Sequence, residues 1–120
     1  MLMTNKHIPT REEAFTLLKK HTKSESLRKH GLAVEAVMRY YAKKYNEDEE
    51  KWGIIGLVHD LDWDQFPEEH CNKTREILEQ ENWPEEYIRA IQSHAWLTCT
   101  EVEPKSLLEK TLYAVDELKL

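Results

Sequence analysis

Apolar residues recur at steps of three and four along most of this chain, which is the spacing of one face of an α-helix. The clearest run follows Ser24 and ends near Tyr45. Five residues form its apolar side: Leu27, Gly31, Val34, Met38 and Tyr41. The charged residues between them, Glu35 and Arg39 included, are predicted to face solvent.

Helix start signals recur at regular intervals and indicate how many helices there are. A capping residue stands three positions before a carboxylate in four places. These pairs are Thr10 with Glu13, Asn46 with Glu49, Asn82 with Glu85, and Ser106 with Glu109. Ser24 and Asn72 precede two further periodic runs. The pattern predicts about six helices and no strand.

The segment 52–63, WGIIGLVHDLDW, is apolar on nearly every side. Such a helix is typically surrounded by others, so we predict that it lies at the centre. No linker, repeat or low-complexity stretch divides the 120 residues, which is an ordinary length for one core. We therefore expect one all-α domain over residues 1–120, built as a compact helical bundle.

Charge and composition narrow the class of protein. The net charge of −6 disfavours binding to a nucleic acid polymer. The longest apolar stretch, residues 52–58, is too short to span a membrane, and the first ten residues lack a signal-peptide core. We expect a soluble cytoplasmic protein with no membrane partner. Cys71 and Cys99 are expected to stay reduced, forming neither a disulfide nor a thiolate zinc site.

Four tryptophans allow two interpretations: Trp52, Trp63, Trp83 and Trp96. Exposed aromatic rings can stack on bases, but aromatic residues beside helix ends more often close a core. We therefore predict that these tryptophans close the core.

Ionisable residues interrupt the apolar faces of four segments. His30 lies on the apolar side of the second helix, and His59 and Asp60 end the most apolar segment. His94 and Asp116 extend the apolar faces of the fifth and sixth helices. A single case would fit a core histidine or an aspartate bonded to backbone. Because buried ionisable groups are costly unless paired or bound to metal, their recurrence favours a shared divalent cation.

These residues, in this order and context, resemble the HD superfamily of metal-dependent phosphohydrolases. Its pattern is a His, an adjacent His-Asp pair and a distant Asp, here His30, His59 with Asp60, and Asp116. From about Ser24 onward, KHGLAVEAVMRYYAKKY, GLVHDLDWD, EEYIRAIQSHAW and LLEKTLYAVDEL resemble small HDIG-type predicted hydrolases. Similar proteins continue well past the last Asp, so we expect an HD-type domain shortened at its C-terminus.

The resemblance implies hydrolysis of a small phosphorylated metabolite, or of a nucleotide mono- or diester, by metal-activated water. It implies four ligands for one cation: His30, His59, Asp60 and Asp116. In the two-metal branch of the family, Asp60 bridges to a second ion held by His70 and His94. Imidazole and carboxylate ligands without thiolate suit Fe, Mn, Co, Ni or Zn.

Further assignments follow less directly. Asp62 and Asp64 either orient ligands and move a proton, or are ordinary polar residues of a helix end. We predict Asp60 and Asp62 as the catalytic carboxylates and name no residue that binds substrate. Leu118 and Leu120 would end a helix uncovered, which suggests a homodimer.

Two other functions compete with an enzyme of this class. One is a non-catalytic helical module that binds a metal or a ligand. The other is an oxygen- or iron-handling bundle, which is disfavoured because the Glu-x-x-His pairs of such proteins are not found on suitable helices.

Overall fold

The computed structural model describes residues 6–66, 68 and 72–117 of the chain. Within these residues there are six α-helices and no β-strand, which confirms the all-α prediction. The helices are α1 (Arg11–His21), α2 (Glu25–Lys44), α3 (Glu49–Leu57), α4 (Asn72–Gln80), α5 (Glu85–Ser93) and α6 (Leu107–Glu117). No helix among them is both long and apolar enough to cross a membrane.

Three predicted helix starts are confirmed by their hydrogen bonds. The Thr10 hydroxyl accepts from the Glu13 amide, and the Glu13 carboxylate accepts from the Thr10 amide. Ser24 caps α2 through its side chain. Ser106 and Glu109 repeat the reciprocal arrangement at the start of α6. These bonds satisfy amides that a helix leaves unpaired at its first turn.

Helices α3 and α5 begin near Asn46 and Asn82, as predicted, but their caps lie two residues after these asparagines. Asn46 and Asn82 have φ of 58° and 63°, the left-handed conformation with which asparagine often ends a helix. They therefore end α2 and α4, while Asp48 and Pro84 precede α3 and α5. Asn72 is the first described residue of α4, because residues 69–71 lie outside the described ranges.

Helix α3 is central, as predicted. Every residue from Trp52 to Leu57 is buried, and α3 packs against α1, α2 and α5. The predicted extent is wrong, because the helix ends at Leu57 and residues 58–65 form turns. The backbone changes there to tighter bonds, from the His59 amide to Gly56 and from the Leu61 amide to Val58. His59 and its neighbour Asp60 thus lie on a turn rather than on a helix face.

Two glycines allow α2 and α3 to approach closely. A Cβ atom at Gly31 would lie 2.7 Å from the carbonyl oxygen of Leu57. One at Gly56 would lie 2.9 Å from Cγ of Met38. Because side chains are absent at both contacts, the α2 backbone beside His30 lies close to the turn that follows α3. Helix α6 packs against α2 and α5 and completes this end of the bundle.

Glu35 corrects the prediction that the charged residues of α2 face solvent. It is 6% exposed, and its carboxylate accepts hydrogen bonds from Arg11 and Arg39 at 2.9–3.1 Å. Gly53 makes room for this arrangement, since a Cβ there would lie 2.5 Å from Nε of Arg39. Burial opposes ionisation, but the two guanidinium groups outweigh it and lower the pKa of Glu35. α2 therefore carries a buried charge that the helical pattern does not reveal.

The tryptophans divide into two pairs. Trp52 and Trp83 are 2% and 3% exposed and belong to the core, as predicted. Trp63 is 45% exposed and Trp96 is partly exposed, so the prediction is wrong for these two. Their chain positions explain the difference, because both lie in segments that follow helices: Trp63 is in a turn, and Trp96 forms an isolated β-bridge with Thr100.

Several predictions concern residues near the edges of the described ranges. Cys99 is disulfide-bonded, so the expectation of a reduced thiol is wrong for it. Cys71 lies outside the described residues, as do the predicted ligand His70 and the predicted dimer contacts Leu118 and Leu120.

Candidate metal centre

Four of the predicted metal ligands meet at one point. His30 comes from α2, His59 and Asp60 from the turn after α3, and Asp116 from α6. One ligand atom from each lies within 4.8 Å of all the others. Residues up to 86 positions apart in the chain therefore share one site, where helices α2, α3 and α6 come together.

The distances within this cluster are those of ligand atoms around a cation. Nε2 of His30 lies 3.0 Å from Nε2 of His59. Oδ2 of Asp60 lies 3.3 Å from both nitrogens. Oδ1 of Asp116 lies 3.2 Å from His59 Nε2 and 3.7 Å from His30 Nε2. Bonds of about 2.0–2.2 Å to one metal would place ligand atoms roughly 3.0–3.5 Å apart, so the donor set fits a divalent cation.

Hydrogen bonding fixes the orientation of the most buried ligand. Nδ1 of His59 lies 2.7 Å from the carbonyl oxygen of Gly56 and donates to it, which leaves the lone pair of Nε2 facing the cluster. His59 is 0% exposed, whereas the side chains of His30, Asp60 and Asp116 are 19%, 24% and 28% exposed. His59 therefore forms the floor of the site, and the other three border its solvent side.

The electrostatics of the cluster favour positive charge at its centre. Burial lowers the pKa of His59, but the charge of Asp60 and its hydrogen bonds with both carboxylates outweigh burial and raise that pKa to about 10. Burial likewise opposes ionisation of Asp60 and Asp116, yet the surrounding histidines lower the pKa of both carboxyls. A proton and a metal ion compete for the same place.

His94 extends the cluster through the second oxygen of Asp60. Its Nε2 lies 3.1 Å from Asp60 Oδ1, while Asp60 Oδ2 faces His30 and His59. Nδ1 of His94 is bonded to the carbonyl oxygen of Ile91, so Nε2 points to the carboxylate. The two oxygens of Asp60 thus lie on different sides, toward two sets of imidazoles.

Asp62 and Asp64 contact backbone amides. Asp62 is 0% exposed and accepts from the Thr74 amide, in the first turn of α4, at 3.0 Å. Asp64 accepts from the amides of Lys23 and Ser24, just before α2. The Asp62 contact favours a role in holding α4 against the turn, and a catalytic role for it stays a prediction.

Comparison with known families agrees with this arrangement. The HD domain model matches residues 27–119, which include all four clustered residues and His94. The chain belongs to the HD domain family. HD domains bind divalent metals and are commonly phosphohydrolases. No curated protein and no solved structure matches the chain.

An aromatic pair whose members are close in sequence to His94 and Asp116 was not predicted. The rings of Trp96 and Tyr113 lie 6.0 Å apart. Trp96 follows His94 by two residues, and Tyr113 precedes Asp116 by three. This closeness in sequence to two predicted ligands could have indicated the pair. It was overlooked because tryptophan residues are usually found in cores.

Proposed function

We propose that this HD domain protein hydrolyses the phosphoric ester bond of a small metabolite or of a nucleotide mono- or diester. The observation that carries the proposal is the grouping of two imidazole nitrogens and two carboxylates around one point that is open to solvent on one side. Catalytic metal sites typically combine protein ligands with positions left for water or substrate. The acidic chain supports a small substrate over a nucleic acid polymer.

The chain's own residues hold and orient the reacting groups. A divalent cation bound there would acidify a coordinated water and offset the negative charge of the phosphoryl oxygens. His59, oriented by its hydrogen bond to the Gly56 carbonyl, lies at the bottom of the site. His30 and Asp116 border the solvent side, from which substrate would approach. In the reaction the water oxygen adds to phosphorus, the ester P–O bond breaks, and the leaving oxygen takes up a proton.

The shared carboxylate of Asp60 supports a site for one or two ions. One of its oxygens faces His30 and His59, and the other faces His94. This is the arrangement expected of a bridging ligand. His70 as a further ligand stays a prediction. Elemental analysis of purified protein will give the number of ions per chain and will identify the metal among Fe, Mn, Co, Ni and Zn.

The decisive experiment combines metal loading with a panel of phosphoric esters. We expect turnover with at least one of these metals, and at least a 100-fold loss of kcat/KM in Asp116→Asn. Asp64→Asn is the matched control, because Asp64 follows Asp60 by four residues and its described contacts are the backbone amides of Lys23 and Ser24. It should keep both metal and activity.

The results of this experiment distinguish an enzyme from a binding module, and a local loss of activity from a general disturbance of the fold. Stoichiometric metal with no hydrolysis anywhere in the panel would contradict the enzyme and support a non-catalytic binding module. Equal losses in Asp116→Asn and Asp64→Asn would mean that general disturbance of the fold explains the effect. Circular dichroism and the unfolding midpoint of each variant separate such disturbance from a local loss.

A further inference from the structure

Cys99 forms a disulfide bond in a part of the chain that is exposed to solvent. The chain contains two cysteines, so Cys71 is the one residue of the same chain with which Cys99 can form this bond. Exposed disulfides are reduced more readily than buried ones, and they are more often regulatory. The bond at Cys99 is therefore open to attack by a thiolate from solution.

The segment that carries Cys99 is bonded to the residue that follows His94. The amides of Thr98 and Cys99 both donate to the carbonyl oxygen of Ala95, at 2.9 and 3.0 Å. Ala95 comes directly after His94, whose Nε2 lies 3.1 Å from Oδ1 of Asp60. Residues 95–100, here called the Cys99 loop, thus form a closed turn at the end of α5. A displacement of Cys99 would be passed to His94 through this turn.

Other contacts hold the Cys99 loop only weakly. Leu97, Thr98 and Cys99 are all exposed, so burial of their side chains contributes little. Leu97 has φ of 69°, which is unfavourable for a branched apolar residue. The Thr100 hydroxyl donates to the Gln92 carbonyl and ties the end of the loop to α5. The disulfide therefore supplies much of the constraint on this loop.

The other end of the disulfide belongs to the start of α4. Cys71 directly precedes Asn72, and Asn72 lines the same cleft as Cys99. In the first turn of α4, the Thr74 amide donates to the carboxylate of Asp62 at 3.0 Å. Asp62 lies in the turn after α3, which also carries the carboxylate shared by the two sets of imidazoles. The disulfide thus joins the loop after α5 to a helix that is bonded to the turn after α3.

We propose that this disulfide is a reversible redox site that controls how tightly the metal centre binds its cation. In the oxidised chain, the bond holds the Cys99 loop against the start of α4, and His94 is kept facing Asp60. In the reduced chain, the loop is released, His94 loses its fixed position and the affinity for metal falls. The inference rests on the metal centre of the proposed function, and it does not depend on which ester is hydrolysed.

The chemical step is thiol–disulfide exchange with a dithiol. A thiolate of the dithiol attacks one sulfur of the disulfide, forms a mixed disulfide and releases the other cysteine as a thiolate. The second thiol of the reductant then displaces the remaining cysteine. Two electrons and two protons pass to the chain, which gains two thiols, while the dithiol is oxidised to a disulfide. Oxidation by a disulfide of the same class reverses the step.

The test compares metal affinity in two states of the same protein. One sample stays oxidised, and the other is reduced, alkylated with iodoacetamide and freed of reductant. Competition with a chelating dye measures the affinity for Mn²⁺, which is chosen because thiolates are poor ligands for it. We expect the reduced sample to bind Mn²⁺ at least about tenfold more weakly, the lower end of what contacts behind metal ligands contribute.

Three variants test the route from the disulfide to the metal. Cys99→Ser should bind Mn²⁺ as weakly as the reduced wild type, whether or not it is treated with reductant. Thr98→Ala is the matched control, because Thr98 is an exposed neighbour in the same loop, and it should respond like the wild type. In His94→Ala the oxidised and reduced samples should bind equally, since the effect acts through His94. A tenfold difference that persists in His94→Ala would overturn the proposal.

Further outcomes would reject the redox site alone. Equal affinity in the two wild-type states would do so, and so would a non-reduced digest in which no peptide joins Cys71 to Cys99. Circular dichroism of the reduced chain must show a folded protein, because unfolding on reduction would also contradict the proposal. If Cys99→Ser fails to fold while the reduced wild type stays folded, the two wild-type states decide the question.

The same measurements separate this proposal from the proposed function. No Mn²⁺ bound in either state would reject the metal centre and both proposals with it. A redox-dependent affinity without hydrolysis of any ester would support the redox site and reject the enzyme. Hydrolysis with equal affinity in both states would support the enzyme and reject the redox site.

Discussion

Glu35 and Asp60 are both acidic residues held largely out of water, and different groups balance their charges. Glu35 lies between two guanidinium groups, with four hydrogen bonds from Arg11 and Arg39. Asp60 lies among imidazoles, with His30, His59 and His94 within 3.3 Å. Arginine carries a permanent charge, whereas histidine carries one only when protonated.

This difference distinguishes a structural cluster from a binding site. The Glu35 cluster supplies its own positive charge and has no need of a ligand. In the Asp60 cluster, the positive charge is a proton on His59, whose pKa is raised to about 10, and a metal cation can replace that proton by binding the freed imidazole nitrogens and the two carboxylates. A buried acid therefore indicates function when the positive charge beside it can be exchanged for a ligand, and structure when that charge is permanent.

The largest expected effect comes from removing the shared carboxylate. Asp60→Ala should reduce metal affinity and kcat/KM by at least about 100-fold, since even outer contacts of a metal site contribute 10- to 100-fold. Competition with a chelating dye measures the affinity. Glu35→Gln should leave that affinity unchanged. A comparable loss of metal in both variants would show that the two clusters are not independent.

The second effect is on the free energy of unfolding, for which Glu35 should be more sensitive to substitution than Asp60. Glu35→Ala should lower the free energy of unfolding by about 3 kcal/mol, because it removes four hydrogen bonds to Arg11 and Arg39 and leaves Arg39 only its more exposed partners Glu49 and Glu50. Denaturant unfolding at neutral pH measures this. Glu25→Ala, which removes an exposed ion pair with Lys29, is the control and should change stability by less than about 1 kcal/mol. Similar losses in the two variants would argue against a structural role for the Glu35 cluster.

Metal addition should stabilise the protein only through the Asp60 cluster. At a metal concentration 100 times Kd, linkage raises the free energy of unfolding by about 2.7 kcal/mol. The increase should persist in Glu35→Ala, provided that variant folds, and disappear in Asp60→Ala. Thermal unfolding with and without a chelator checks both. An increase retained in Asp60→Ala would place the cation elsewhere.

Features that follow a helical period or the HD pattern could be predicted from the sequence. Helical periodicity placed Asp116 on the inner face of α6, and the HD pattern grouped it with His30, His59 and Asp60. The turn after α3 was missed, because an apolar run shows no period from which a helix end can be located. Asn46 and Asn82 resembled caps but end helices instead, since asparagine suits both positions.

Features that depend on contacts between residues far apart in the chain could not be predicted from the sequence. Glu35 follows the polar pattern of α2, and only the approach of α1 and α3 places Arg11 over it and Gly53 beside Arg39. Trp96 is kept from the core by the path of its loop, which no local preference specifies. Both outcomes depend on which elements meet, and that is decided by the packing of the whole bundle.

The smallest predicted effect is a difference in acid response. Because its pKa is lowered on folding, Glu35 contributes stability above its ordinary pKa of 4.5, and that contribution is lost as the pH falls through the folded value. The stability gap between the wild type and Glu35→Gln should therefore be constant near neutrality and narrow below about pH 4.5. Denaturant unfolding at a series of pH values, with a chelator present, measures the gap. A gap that widens in acid would mean that Glu35 is protonated in the folded protein, in conflict with its two arginine partners.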